Sequence, residues 1–388
     1  LIYIMVTKLV VNKLYTDDHI KTLEGNWIDE SYIKQPIIQS DTDVYYLNND
    51  NEETLLLKFR KNVITDDELQ IGWNSYKNLS KPSRGRGASA GPIDKSGQYW
   101  SKRVIVNDNK WMTSYLSPAG LILKEEYDEL PLEDLTKKCS EYNIATEELS
   151  RHDIIISIIK KEGGVSKMRV NNQVASSAIG YFDEDKKMSK TPCRLTYFSK
   201  HNFTDYKNGF PFIEKIDKLY KMLVPGAHQR QHERASQKPH LKISDTSFST
   251  VTINRNFRTA LHRDANDFRG GFGNLTVIER GKYQGGYTVF PQFGIGINLR
   301  NNDFVVMDVH QWHSNTPITE SEEDKEFNKS LPKVYKDNPA VGTVGIYELY
   351  TRLSFVCYLR EKILNCPDVI DPEYLYGIED KKKTKKTK

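Results

Sequence analysis

The stretch RTALHRDANDF, residues 258–268, places His262 two residues before Asp264 and puts a second acid, Asp267, three residues further on. On an extended backbone, residues two apart share a face, so this imidazole and carboxylate turn to the same side and form a two-toothed metal clip. A third ligand has to arrive from elsewhere, and VHQWHSN offers two histidines, His310 and His313. Three residues apart on a continuing strand, they point to opposite faces, so only one of them closes the set. Two imidazoles and one carboxylate leave three positions open on non-haem Fe(II), enough for a bidentate cosubstrate and O2. Arg352 in TRLSF supplies a fork for the far carboxylate of 2-oxoglutarate, and Ser354 adds a hydroxyl on the same face. Arg360 is the alternative fork. An isolated His-x-Asp recurs by chance in many proteins, whereas the ordered series of clip, distal His and Arg-x-Ser is far more restrictive.

Ligands gathered from such distant positions need strands to carry them. The runs SFSTVTINRNF, NLTVIER, GGYTVFP, IGINL, DFVVMDV, VGIYELY and RLSFVCYLR are rich in β-formers and separated by Gly, Asn and Asp turns, which predicts a barrel or sandwich. FPFIEKIDKLYKML, ahead of Pro225, predicts a helix, and VTKLVVNKLY and TLLLKFRK predict short strands near the start. Between them, KPSRGRGASAGPID at residues 81–94 is too rich in Gly and Pro for regular structure. This loop is cationic; Arg84 and Arg86 are placed to fork onto phosphate, the alternative being a plain surface linker. In LPLEDLTKKCSEYNIATEELSRHDIIISIIKKEGG, one helical stripe runs through Leu132, Leu135 and Cys139 and another through Ile154, Ile155, Ile158 and Ile159, with an extended Ile144 between. Two short helices are expected there.

Composition sets the broad class. With 388 residues, 38% hydrophobic and 28% charged, the chain is long enough for a sizeable core and unlike a disordered protein. The net charge is +4, but the last eight residues, KKKTKKTK, hold six lysines, which leaves the rest of the chain at −2. Any anion-binding surface must therefore be local, and the tail is read as either a solvated segment or a nuclear-targeting or phosphate-attracting one. The four cysteines are widely spaced without a Cys-x-x-Cys pair, which argues against a zinc ribbon and a disulfide framework and favours a reducing compartment. The opening LIYIMVTKLVV is short and interrupted by Lys8, so neither a signal peptide nor a membrane span is expected and an intracellular location is.

The segments NRNFRTALHRDANDFRGGFGNL, ERGKYQGGYTVFPQFGIGINLRNNDFVVMDVHQWHSNTPI and TRLSFVCYLR resemble the oxygenase domain of the TET/JBP family, the 5-methylpyrimidine oxidases of DNA. RGASAGPID, QYWSKR, SSAIGYFDED and CRLTYF extend the likeness, closer to the thymine-hydroxylase branch than to the animal TET proteins. The resemblance implies an α+β fold: a double-stranded β-helix, or jelly roll, with flanking helices and a small helical insertion. It divides the chain into an N-terminal part of the oxygenase domain at 1–125, a helical insertion at 126–166, a catalytic core at 167–365 and a basic tail at 366–388. The insertion, which this likeness skips, separately resembles a SAP-type DNA-binding unit through Leu135, Cys139, Ile144, Arg151, Asp153 and DIIISIIKKEG, the alternative being a plain helical hairpin. The family likeness also assigns site residues. By position it makes His262, Asp264 and His313 the iron ligands, His313 preceding the Asn-Thr-Pro turn, and Arg352 the 2-oxoglutarate anchor with Ser354 beside it. It gives Asp267 a contact with the target base and names no catalytic side chain beyond the metal centre. A long polar stretch from Thr319 to Val341 is a departure from the family's spacing and keeps Arg360 in view.

The implied activity is hydroxylation of the 5-methyl of thymine or 5-methylcytosine in DNA by a dioxygenase using Fe(II), 2-oxoglutarate and O2, with ascorbate as a stimulant and the base flipped out of the duplex. The 81–94 loop, the insertion and the lysine tail are the candidates for gripping the backbone, and the nucleus or another DNA-bearing site is the expected location. Because the iron core does not name its substrate, an RNA-modifying oxygenase, a prolyl or lysyl hydroxylase and a non-catalytic binding module on the same fold are the alternatives.

Overall fold

A computed structural model of the chain describes residues 6–79, 86–91, 104–106, 113–116, 118–147, 149–168, 174–184, 192–332, 334 and 350–368. Arg84, most of the VGIYELY run and the lysine tail lie outside the described residues. The fold is mixed α+β, built on a double-stranded β-helix core of two unequal sheets. The larger, nine-stranded among the described residues, runs in the order Thr7–Val11, Thr42–Leu47, Glu53–Arg60, Phe304–Met307, Gly273–Arg280, Thr351–Tyr358, Thr250–Arg255, Ser176–Phe182 and Arg194–Leu195. Its pairs are antiparallel apart from the first, which is parallel. The smaller sheet has Thr288–Phe290 in the middle, with Ile295–Ile297 and Ser314–Asn315 on either side.

Both faces of the large sheet are covered, and the period of two sorts its side chains. Along Thr351–Tyr358, Leu353, Phe355 and Cys357 turn to one face, where they meet Phe212, Ile216 and Tyr220 of the helix Phe210–Leu223. That helix is the one predicted from FPFIEKIDKLYKML, and its apolar stripe accounts for its burial. A second helix, Asp66–Tyr76, begins at a Thr65/Glu68 capping box and lies against it. Gly72 permits the close approach: a Cβ there would stand 2.8 Å from the Phe212 ring. The other face of the sheet packs Leu57, Leu275, Val277 and Met307 against Phe290, Ile295 and Ile297 of the small sheet. Between the two sheets, Arg352, Ser354 and Val356 point into a cavity.

The insertion is a helical unit of its own. Strands Thr113–Leu116 and Val165–Met168 pair antiparallel, so the chain leaves and returns at neighbouring points. The expected helices are Leu132–Glu141 and Arg151–Lys161, and a preceding helix, Pro118–Asp128, joins them. Leu135, Cys139, Ile154, Ile155, Ile158, Ile159 and Tyr127 form a separate small core. Leu132, expected on the inward stripe, is 51% exposed because it stands at the first helical position, ahead of the turn that packs. Ile144 sits in the connecting turn, its amide donating to the Cys139 carbonyl at 2.8 Å.

The cysteine reading needs correction. Cys193 and Cys366 form a disulfide across 173 residues, while Cys139 and Cys357 are free and buried. Spacing along the chain does not limit distance in space. The far edge of the large sheet and the chain leaving Thr351–Tyr358 meet at one corner, packed with Leu241, Leu359 and Ile363. The inference of a reducing compartment from unpaired cysteines thereby loses its basis. Among the described residues, no helix is long and apolar enough to cross a membrane.

Candidate metal and cosubstrate site

His262 and His313 face each other as an isolated antiparallel bridge, each amide donating to the other's carbonyl at 3.0 Å. This pairing joins the segment before Asp264 to the edge of the small sheet. It brings one donor atom each from His262, Asp264 and His313 within 4.8 Å of one another. The Asp264 carboxylate lies 3.7 Å from Nε2 of His262 and 3.8 Å from Nε2 of His313. The opposite ring nitrogens are already held: Nδ1 of His262 is 2.7 Å from the Ala260 carbonyl and Nδ1 of His313 is 2.9 Å from that of Gln311. A carbonyl only accepts, so each Nδ1 donates, which in the neutral ring leaves the Nε2 lone pair turned toward the shared point. Burial, reinforced by the neighbouring His262, lowers the His313 pKa to about 4, so its ring is neutral at physiological pH. Two imidazoles and one carboxylate, already converged, suit a divalent iron.

His310, the rival for the third position, is directed elsewhere. It lines a neighbouring cavity with Arg230 and Arg269; the strand expected to carry both histidines ends at Met307, and it is the turn at 308–311 that separates them.

The cosubstrate end is built on strand Thr351–Tyr358. Arg352 is 3% exposed, and its Nε and Nη2 have no hydrogen-bond partner. Burial lowers its pKa to about 10, so the guanidinium is still charged at neutral pH. Glu279 stands opposite it in register, but its carboxylate is engaged by Arg300 at 3.3 Å and by the Asn301 amide at 2.9 Å. A buried, charged fork with two open N–H groups in a cavity of about 340 Å³ fits the distal carboxylate of a small dicarboxylic acid. Ser354, two residues along, faces the same cavity and accepts from Asn254 Nδ2 at 3.3 Å. Arg360, the alternative fork, is bonded through Nε to Asp183 and lies over the Phe182 ring, so its charge is already matched.

Asp267 and Arg86 border the same cavity. Asp267 is 8% exposed and its Oδ2 has no partner; burial and then the nearby Asp264 push its pKa well above the usual carboxylate range. Arg86, the described member of the cationic loop pair, donates to Thr252 Oγ1 at 3.2 Å, and the Tyr358 hydroxyl lies 3.2 Å from the same oxygen.

Two asparagines went unnoticed in the sequence. Asn256 clamps Arg352 from both sides: its Oδ1 accepts from the Arg352 amide at 2.7 Å and its own amide donates to the Arg352 carbonyl at 2.9 Å. Asn254 positions Ser354. The trace was present in TVTINRNF, where Thr252 and Asn254 alternate with Val251 and Ile253 in a wholly buried strand and Asn256 follows at the same spacing just past its end; polar side chains at period two facing inward mark a lined cavity.

Residues 177–361 match the profile of the Tet_JBP family, described as the oxygenase domain of the 2OGFeDO superfamily. The chain is 31% identical over 187 residues to the bifunctional helicase and thymine dioxygenase JBP2 of Leishmania major, covering 48% of this chain and 14% of that protein. It is 32% identical over 190 residues to thymine dioxygenase JBP1 of Trypanosoma brucei brucei, covering 49% and 21% respectively. The chain thus spans about a seventh to a fifth of the length of these curated relatives. Among solved structures, that of NgTET1 in complex with 5mC DNA aligns with a TM-score of 0.43 at 8% identity, over 96% of this chain and all of that one.

Proposed function

With residues 177–361 belonging to the TET/JBP oxygenase family, we propose that this chain is an Fe(II)- and 2-oxoglutarate-dependent dioxygenase that hydroxylates the 5-methyl group of thymine or 5-methylcytosine in DNA. The observation that carries the reading is the pairing, in one cavity, of the converged His262, Asp264 and His313 with the buried, open fork of Arg352. His262, Asp264 and His313 would hold the iron, and Arg352 and Ser354 would hold 2-oxoglutarate. Together, iron and 2-oxoglutarate supply activation of dioxygen for insertion of one oxygen atom into a C–H bond.

The chain's own residues prepare that chemistry. The carbonyls of Ala260 and Gln311 hold Nδ1 of the two imidazoles and so orient Nε2 of each toward a bound cation. Asn256 fixes the backbone of Arg352, which makes the guanidinium a rigid receptor. The sheets on either side exclude water from the cosubstrate end. At the other end of the cavity, Asp267 and Arg86 present polar groups to a base that has left its stack. Such a reaction places the protein wherever the cell keeps its DNA.

The test is mass spectrometry of nucleosides after incubating the protein with Fe(II), ascorbate, 2-oxoglutarate and DNA containing both thymine and 5-methylcytosine. A gain of one oxygen on either nucleoside is expected and names the base. Turnover of 2-oxoglutarate with no altered nucleoside would overturn the substrate assignment, moving it to RNA or protein.

A further inference from the structure

A second cavity, of about 570 Å³, opens next to the metal site and shares Arg263 and Ala265 with it. Three elements send an arginine to it: Arg230 from the helix Pro225–Ser236, Arg263 from between the two clip residues, and Arg269 from the turn before strand Gly273–Arg280. The alternation that aims His262 and Asp264 inward aims Arg263 outward, where its guanidinium stacks on the Trp312 ring at 4.4 Å. Arg230 donates through Nε to the Gly270 carbonyl at 3.3 Å, which fixes the helix to the Gly270–Gly271 turn and leaves the rest of the fork open. None of the three is in ion-pair contact with a carboxylate among the described residues.

Two further observations point to an anion. His310 borders the cavity, and its Nε2 is fully buried without a partner. The one acid on the rim, Asp308, is already engaged: it accepts from the His310 amide at 3.0 Å and from Gln311 Nε2 at 3.1 Å. A folded domain ordinarily disperses or pairs its cations, since like charges brought together repel. Three guanidinium groups around one depression, Arg263 held by stacking and Arg230 by a carbonyl, make a forked receptor for phosphate oxygens.

We propose that Arg230, Arg263 and Arg269 form a phosphodiester subsite that holds the nucleic-acid backbone beside the nucleotide whose base enters the metal cavity. The proposal rests on the nucleic-acid reading given above and adds to it the place of the grip. Sharing Arg263 between the cavities makes a phosphate there a neighbour of the reacting base and not a remote anchor. The contact is with the backbone, so it adds affinity and register and reads no sequence.

The experiment is binding of a fluorescent 5-methylcytosine duplex to the full chain, measured by anisotropy from low to moderate salt, for wild type, Arg269→Ala and Arg230→Ala. Each lost phosphate contact lowers the slope of log K against log salt by about one, and affinity at low salt falls about equally for methylated and unmethylated duplexes. Arg269 is exposed, so its variant folds; Arg230→Lys serves as the check that a loss at Arg230 is not merely a loosened turn. Wild-type slopes in both Ala variants, with wild-type affinity, would overturn the subsite while leaving the substrate reading intact. Absence of DNA binding by the wild-type protein would instead overturn the substrate reading, and the subsite with it.

Discussion

The helical insertion between residues 118 and 162 holds six lysines and arginines among eleven acids, whereas the rim of the metal cavity gathers Arg230, Arg263 and Arg269 around one depression. In the insertion, three of the six cations are used internally. Lys138 lies 3.4 Å from Glu162, Lys124 pairs with Asp128 one turn away, and Arg151 donates to the carbonyls of Asp128 and Leu130. Glu162 ties the unit together, accepting from the hydroxyls of Tyr127 and Tyr142 as well; burial works against its charge, and these donors hold its pKa below the usual range. On the rim, no carboxylate competes. A count of basic residues would favour the insertion as the place where a polyanion binds, and the pairing of those residues favours the rim. What makes a cation available to a ligand is the lack of a partner, which composition does not reveal.

The sharpest test of the rim's side of this contrast is at its metal ligands. Asp264→Ala removes the single anionic donor and leaves two imidazoles; turnover of 2-oxoglutarate should fall below detection, with circular dichroism unchanged and iron content near zero. Full activity in this variant would remove the catalytic reading. Arg352→Ala comes next. Removing a buried charged fork costs about 2 kcal/mol or more, which is a rise of roughly thirtyfold or more in the KM for 2-oxoglutarate. Iron content should stay at the wild-type level, which separates the two halves of the site. An unchanged KM would pass the anchor to Arg360 and require its pair with Asp183 to open.

Much of this site was legible from the chain alone, for a physical reason. His262 and Asp264 are close in sequence, and a short stretch tied to His313 and Val309 by its backbone amides turns that closeness into a shared site. The period of two in a strand put Arg352 and Ser354 on one side of Thr351–Tyr358, whereas His310 is parted from His313 by the turn that follows Phe304–Met307. The helix ahead of Pro225 and the strand runs were legible because their apolar positions repeat at the spacing of the element that buries them. What could not be read depends on closure in three dimensions. The bond of Asn256 to Arg352 spans 96 residues, the disulfide spans 173, and the three rim arginines come from separate elements. The partners of Glu162 were equally hidden: the acidic balance of the insertion can be counted in the sequence, but its internal pairing emerged only from the structure.

A smaller effect probes how the rim is supported. Asp217 is buried between the two helices that back the cavity, accepting from Ser247 at 2.8 Å and bonded to His228 on the helix that carries Arg230, at 2.9 Å. Burial opposes its charge, but the His228 and Ser247 hydrogen bonds prevail and hold its pKa below the usual 3.8. A carboxyl whose pKa is lower in the folded state contributes stability above its unfolded pKa and loses it as pH falls through the folded value. Asp217→Asn should therefore cost about 2 kcal/mol at pH 7 in urea unfolding, with the difference from wild type shrinking below about pH 4. A penalty that stays constant down to pH 3 would mean that shape, and not charge, sets the contribution of Asp217.

The smallest effect is expected where composition would place the largest. Strands Thr113–Leu116 and Val165–Met168 pair with Leu116 opposite Val165, so replacing residues 118–162 by a short Gly-Ser turn rejoins neighbouring strand ends and leaves the two sheets intact. The unit has its own core, so its removal takes no side chain from the packing around the metal cavity. Iron content and the KM for 2-oxoglutarate should match wild type. With its net charge of −5, the insertion repels a polyanion at long range, so at low salt its deletion should leave DNA affinity unchanged or raise it slightly. The salt slope should change by less than one, in contrast with the change of about one for each rim arginine. A steep loss of affinity with a flattened slope would reverse the comparison. It would mean that lysines such as Lys160 and Lys161, on the last turn of Arg151–Lys161, meet phosphate directly and that local placement outweighs the acidic surroundings.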